Sequence, residues 1–410
     1  MLNETLNFVC EKFLEYYMNT SPQSWVLSSF ENREFGALLF KGKTMVRHRS
    51  FKKSEDLKEF LCELIPSDIY FSSAYYDDPS ATEMGGKHWL GADLIFDIDA
   101  DHIDTPCGKV HDRWTCGACG FSGMGVTPEA CPSCGGQKIE TKTWICEVCL
   151  ETTKKETMKL LEMLTNDFGF SNNDIRVFFS GHRGYHVHIE DEVVRSLDQQ
   201  ARKEIVDYAV GVGLDKSFHG IRETGGTLAG LNLAEKGWNG RIARGTYDLF
   251  LTASSEEFEE SGLPKRTADS IVKRRREILD GWKDNGPLTG VKGLGSASWD
   301  KLISCGVELQ SAKIDTVVTP DIHRLIRLNN TLHGKTGLMK VEVSTNLIEN
   351  FDPLNKAVAF EKGTEEVFVH ESPGFRLANS TFGVFRDQKV ELPTAAALFL
   401  LCKGVAEVTA

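Results

Sequence analysis

The stretch LIFDIDADH, residues 94–102, sets an apolar run against acids at every second position, Asp97, Asp99 and Asp101. Side chains alternate along a strand, so Leu94, Phe96 and Ile98 take one face and Asp97 and Asp99 the other. Two carboxylates on one face repel each other unless water screens them or a cation sits between them. Hard divalent ions, magnesium or manganese, prefer such oxygen ligands. A solvated strand face has the same pattern, so the choice rests on what the rest of the chain brings to this strand.

Working outward, the 410-residue chain is long enough for two or three domains, or for one large domain with insertions. Hydrophobic residues at 41% and charged residues at 26% describe a folded protein rather than a disordered one. No stretch approaches the roughly 20 apolar residues of a membrane span, and AAALFLLC, residues 395–402, reads as a terminal core helix. The opening MLNETLNFVCEKFLEYYM has early acids and apolar residues at helical spacing, without the basic region of a secretory signal, and is expected to be the first helix of a cytoplasmic protein. A net charge of −12 argues against a generally basic nucleic-acid binder, though not against a local basic groove.

Eleven cysteines are present; Cys10, Cys62, Cys305 and Cys402 lie scattered, and the others crowd between residues 107 and 149 at metal-ligand spacings. Three CxxC pairs follow Cys107 and His111, and a CxxC turn supplies two ligands of a tetrahedral zinc from one tight bend. Their order suggests nesting, with Cys116, Cys119, Cys131 and Cys134 as an inner site and Cys107, His111, Cys146 and Cys149 as an outer one. Four ligands leave no open position, so both sites are expected to be structural, in a reducing compartment. The competing reading is a set of free, buried thiols.

Two later segments carry donors. IRVFFSGHRGYHVHIED, residues 175–191, reads as strand, tight turn and strand, with Ser180, His182, Arg183 and His186 suited to phosphate oxygens. The bland alternative is a polar hairpin whose histidines are satisfied by neighbours. KIDTVVTPDIHRLIRLNNTLHGKTG, residues 313–337, is expected to place Asp315 on a strand, then to start a helix at Thr319 and Pro320 with Arg324 and Arg327 on its polar face, followed by His333 and Lys335.

In this order, DIDAD, SGHRGYH and IDTVVT…RLIRL…LHGKTG, with the cysteine-rich insert after the first, resemble the small catalytic subunit of archaeal and eukaryotic DNA primase, most closely the archaeal branch, from about Arg33 to about Asp352. The resemblance implies catalytic Mg²⁺ or Mn²⁺ at Asp97, Asp99 and Asp315, and contacts to the incoming nucleotide from Ser180, Arg183, His186, Arg327 and His333. It assigns no role to Asp101, which reads as a solvated neighbour. REFGALLFKGKTMVRHRSF, residues 33–51, resembles the family's first sheet strands and adds Glu34 and Arg47 as site candidates. The implied activity is two-metal nucleotidyl transfer that makes short RNA or DNA primers on single-stranded DNA. The implied partners are a large primase subunit, a template, a primer and nucleoside triphosphates, with no membrane. A related end-extending repair polymerase and a non-catalytic zinc-ribbon subunit are the alternatives.

The fold class is α/β of the α+β kind, a mixed-sheet primase fold with a zinc-binding insert and a helical insertion. The catalytic core is expected from residues 1–106, 150–254 and 312–410, the zinc insert from 107–149, and the helical insertion from 255–311. Within the last, GVKGLGSASWDKLI (290–303) resembles the turn and second helix of a helix-hairpin-helix, which would point backbone N–H groups at a phosphate.

Overall fold

A computed structural model describes residues 2–215, 222–224, 227–229, 231–285 and 294–409. The chain divides into two compact units, one of residues 1–158, 172–203 and 314–410, the other of residues 159–171 and 204–313. The second unit therefore takes in more of the chain than residues 255–311.

Two four-stranded sheets organise the first unit. One uses β1 (Phe35–Leu39), β2 (Met45–Arg49) and β3 (Pro66–Ser72). The other uses β4 (Leu94–Asp99), β5 (Ile175–Phe179) and β6 (Gly184–Ile189). β7 (Leu325–Arg327) completes the first sheet in the order β7-β3-β1-β2, and β8 (Val341–Val343) the second in the order β8-β5-β6-β4. The class is α+β, as expected. Every strand pairing among the described residues is antiparallel, so separate antiparallel sheets stand where a mixed sheet was anticipated.

Alternation decides how the second sheet is used. Residues opposite one another in an antiparallel pair share a face, and Asp97 lies opposite His186, Ile98 opposite Tyr185, and Phe96 opposite Val187. Phe96, Ile98, Val177, Phe179, Tyr185 and Val187 are buried on the apolar face. The polar face turns toward the first sheet, where Phe71 of β3 approaches His188 at 6.2 Å. Slipping the register by one residue would bury the acids in the apolar layer and expose the phenylalanines.

The helices follow the expected patterning. In the first, Leu2–Asn19, Val9, Phe13 and Tyr17 recur at a spacing of four and are buried. The helix Thr394–Cys402 is apolar all round, and its Leu398, Phe399 and Leu400 are buried. No helix among the described residues is long and apolar enough to cross a membrane.

The segment 314–324 departs from expectation, since neither the strand nor the helix forms. Asp315 accepts a hydrogen bond from the Val317 N–H at 3.0 Å, and Asp321 one from the His323 N–H at 3.0 Å. These side chains satisfy the backbone locally and hold it in turns. The chain then joins a sheet edge, the Ser73 N–H donating to the Arg324 carbonyl at 2.7 Å, and Leu325–Arg327 is strand rather than helix.

The second unit is mostly helical, with Gly237–Thr252, Ser255–Glu260, Lys265–Asn285 and Ser296–Gln310. Phe250 centres its core, 5.8 Å from Phe258, 5.8 Å from Trp282 and 5.9 Å from Trp299. The turn anticipated for a helix-hairpin-helix, with Lys292, lies outside the described residues.

Candidate active site

Strand β4 presents Asp97 on the polar face, and its last residue, Asp99, caps the turn Ala100–His102 by accepting the Asp101 N–H at 2.8 Å. Asp315 reaches the same place from its turn, because its N–H donates to the Asp97 carbonyl at 2.8 Å. Burial, with Asp99 and Asp315 beside it, pushes the Asp97 carboxyl up to about 7. Burial likewise raises Asp99, against the Arg183 charge that lowers it. Acids this costly to ionise form a place where added positive charge is strongly favoured.

Close packing of the hairpin strand on β4 requires Gly184 opposite Asp99. A Cβ there would lie 2.1 Å from the Ile98 carbonyl oxygen. Two residues on, His186 brings Nε2 to 3.6 Å from an Asp97 oxygen, while its Nδ1 is buried without a hydrogen-bond partner. Ser180 is buried in the loop, where its hydroxyl accepts the N–H groups of His182 and Gly184, each at 3.3 Å. His182 stacks on His333 with centroids 5.1 Å apart. Burial holds His182, His186 and His333 well below the usual imidazole range, so all three are neutral at pH 7.

The arginines are more engaged than the sequence suggested. Arg327, buried on β7, pairs with Asp68, and His333 Nδ1 lies 3.8 Å from the same carboxylate. Arg183 is buried and paired with both Asp101 and Asp112, the latter at 2.7 Å. Asp101 is therefore an ion-pair partner rather than a solvated neighbour. Glu34 and Arg47 bond each other at 3.0 Å; Glu34 is fully buried and also meets Lys87 at 3.2 Å, so its charge is already paired with two cations.

Beside the acids, the cysteine-rich segment brings together the ligand atoms of Cys107, His111, Cys146 and Cys149 within 4.8 Å of one another, and separately those of Cys116, Cys119, Cys131 and Cys134. Tetrahedral zinc with 2.3 Å bonds sets its sulfurs about 3.8 Å apart. The sulfurs here lie close to that, with Cys116–Cys134 and Cys119–Cys131 both 3.7 Å and Cys146–Cys149 3.6 Å. His111 turns Nε2 to the sulfurs and Nδ1 to Asp112 at 2.7 Å, the carboxylate support that metal-binding histidines use. A third group, Asp99, Asp101 and His182, also gathers within 4.8 Å.

Sequence reasoning left Asp68, Asp112, Lys340 and Lys403 out of the site. Asp112 had a local signal, an acid directly after His111. Lys340, buried with its Nζ donating to the Arg327 carbonyl at 2.8 Å, lies just beyond LHGKTG, whereas Lys403, beside His182, comes from a distant element and had no signal.

The chain resembles known proteins along its whole length. The family model for the DNA primase small subunit matches residues 132–345. The DNA primase small subunit of Methanothrix thermoacetophila is 33% identical across 100% of both chains. That of Methanococcoides burtonii is 33% identical over 98% of each, and that of Nitrosopumilus maritimus 30% identical over 99% of this chain and 100% of its own. With a family model over half its length and relatives at this identity from end to end, the chain belongs to the DNA primase small-subunit family.

Proposed function

We propose that the chain is the catalytic subunit of a cytoplasmic DNA primase, joining nucleotides into short RNA or DNA primers on single-stranded DNA in partnership with a large subunit. The observation that carries this reading is the meeting of Asp97, Asp99 and Asp315 on one desolvated face with a wall of histidines and cations. Mg²⁺ or Mn²⁺ held by the three acids would supply Lewis acidity to the 3′-hydroxyl and to the leaving pyrophosphate.

The remaining steps belong to side chains. Neutral His186 and His333 donate N–H groups to phosphate oxygens without repelling the metals, and Ser180 adds a hydroxyl. Arg327, braced by Asp68, offers its remaining N–H groups to the triphosphate and fixes the α-phosphorus in line with the hydroxyl. Arg183, held between Asp101 and Asp112, sets the position of the loop beside the acids more than it binds phosphate. The two cysteine-rich groups would each hold one structural zinc.

The test is synthesis from labelled nucleotides on unprimed and primed single-stranded DNA, with and without the large subunit. Short products on the unprimed strand support a primase; products only from a supplied 3′-hydroxyl would replace it with an end-extending polymerase.

A further inference from the structure

Of the cations around the acids, Arg183 and Arg327 are already neutralised by carboxylates, whereas Lys340 and Lys403 enter no ion pair among the described residues, and Lys340 is turned to the Arg327 carbonyl. Lys403 follows the helix Thr394–Cys402, whose Phe399 packs edge-on against Trp144 at 5.4 Å. That packing fixes where the lysine emerges. Its Nζ donates to the Thr143 carbonyl at 3.2 Å and to His182 Nε2 at 3.2 Å. Accepting there leaves the His182 proton on Nδ1. Among the described residues no carboxylate lies within 4.0 Å of Lys403, while burial and the charges of Arg183 and Lys335 lower its pKa to about 7. An ammonium confined among imidazoles and other cations is unfavourable by itself and is relieved by a polyanion. The same His182 gathers with Asp99 and Asp101 within 4.8 Å, so Lys403 borders the acids through it.

We infer that Lys403, steadied by His182, is a further contact to the β- and γ-phosphates of the bound nucleoside triphosphate, delivered to the site by the carboxy-terminal helix. This rests on the nucleotide-site reading above.

The test is equilibrium binding of ATP and of AMP to the full chain in Mg²⁺ without template, for wild type, Lys403→Met and Lys403→Gln, with zinc content and thermal midpoint measured on each. The ratio is read from whichever variant keeps wild-type zinc content and midpoint. A lost charge-assisted hydrogen bond weakens ATP binding about tenfold or more, with AMP binding unchanged, and Lys403→Arg recovers most of the difference. ATP binding within twofold of wild type, or an equal loss for AMP, would overturn the assignment. Wild-type protein that binds ATP no more tightly than AMP would overturn the nucleotide reading itself, and the Lys403 contact with it.

Discussion

Replacing Asp97 by asparagine removes one charge from three that the fold holds together at a cost. Burial and the neighbouring Asp99 and Asp315 raise this carboxyl from its ordinary 3.8 to about 7. Three pH units at 1.36 kcal/mol each give about 4 kcal/mol, and solvent screening of a side chain that is 22% accessible reduces this to about 2–4 kcal/mol. The sign follows from linkage. A raised pKa means that the folded state binds the proton more tightly, so this stability is fully present below about pH 4 and is lost as the pH rises through about 7. Without divalent ions, wild type is therefore penalised most at pH 8. Asp97→Asn should be more stable than wild type there by about 2–4 kcal/mol, with a gain that shrinks toward zero near pH 4. The assay is urea unfolding across this pH range, in buffer lacking Mg²⁺ and Mn²⁺ but with zinc retained. Adding Mn²⁺ should raise the wild-type midpoint and leave that of the variant nearly unchanged. An asparagine variant equal to or weaker than wild type at pH 8 would refute the reasoning.

Asp112→Ala strips His111 of its orienting carboxylate and Arg183 of one of its two acids, so zinc affinity of the outer site should fall about 10–100-fold in competition with a chromophoric chelator. Asp93→Ala leaves Arg33 buried without the carboxylate it meets at 2.6 Å, and should lower unfolding stability by about 3–5 kcal/mol in a denaturant titration. Gly184→Ala forces a methyl against the Ile98 carbonyl; forcing in such a group costs about 1–3 kcal/mol, and synthesis should fall through displacement of Asp99 from β4, measurable at a temperature where the variant remains folded.

What the sequence made legible was local. The period of two in residues 94–99 and the hairpin around SGHRG carry their own register, and the CxxC spacings suggested the same two ligand groups that the fold gathers. Residues 314–324 were misread because Thr-Pro imitates a helix start, whereas the Asp315 and Asp321 side chains bond the backbone two residues on and hold turns instead. Partners remote in sequence were hidden. Asp68 lies 259 residues from Arg327, and Lys403 lies 221 from His182. Without them the arginines looked free, and the place of Lys403 beside His182 could not be seen.

On the proposed reading, three acids, one of them delivered by a turn, drive nucleotidyl transfer. The most direct measurement is primer synthesis on unprimed single-stranded DNA by Asp97→Asn, Asp99→Asn and Asp315→Asn separately, each with zinc content and folding checked. Each variant should lose activity by a factor on the order of 10³ or more while zinc and fold are retained. A folded, zinc-replete Asp97→Asn or Asp315→Asn protein that makes primers at the wild-type rate would contradict it.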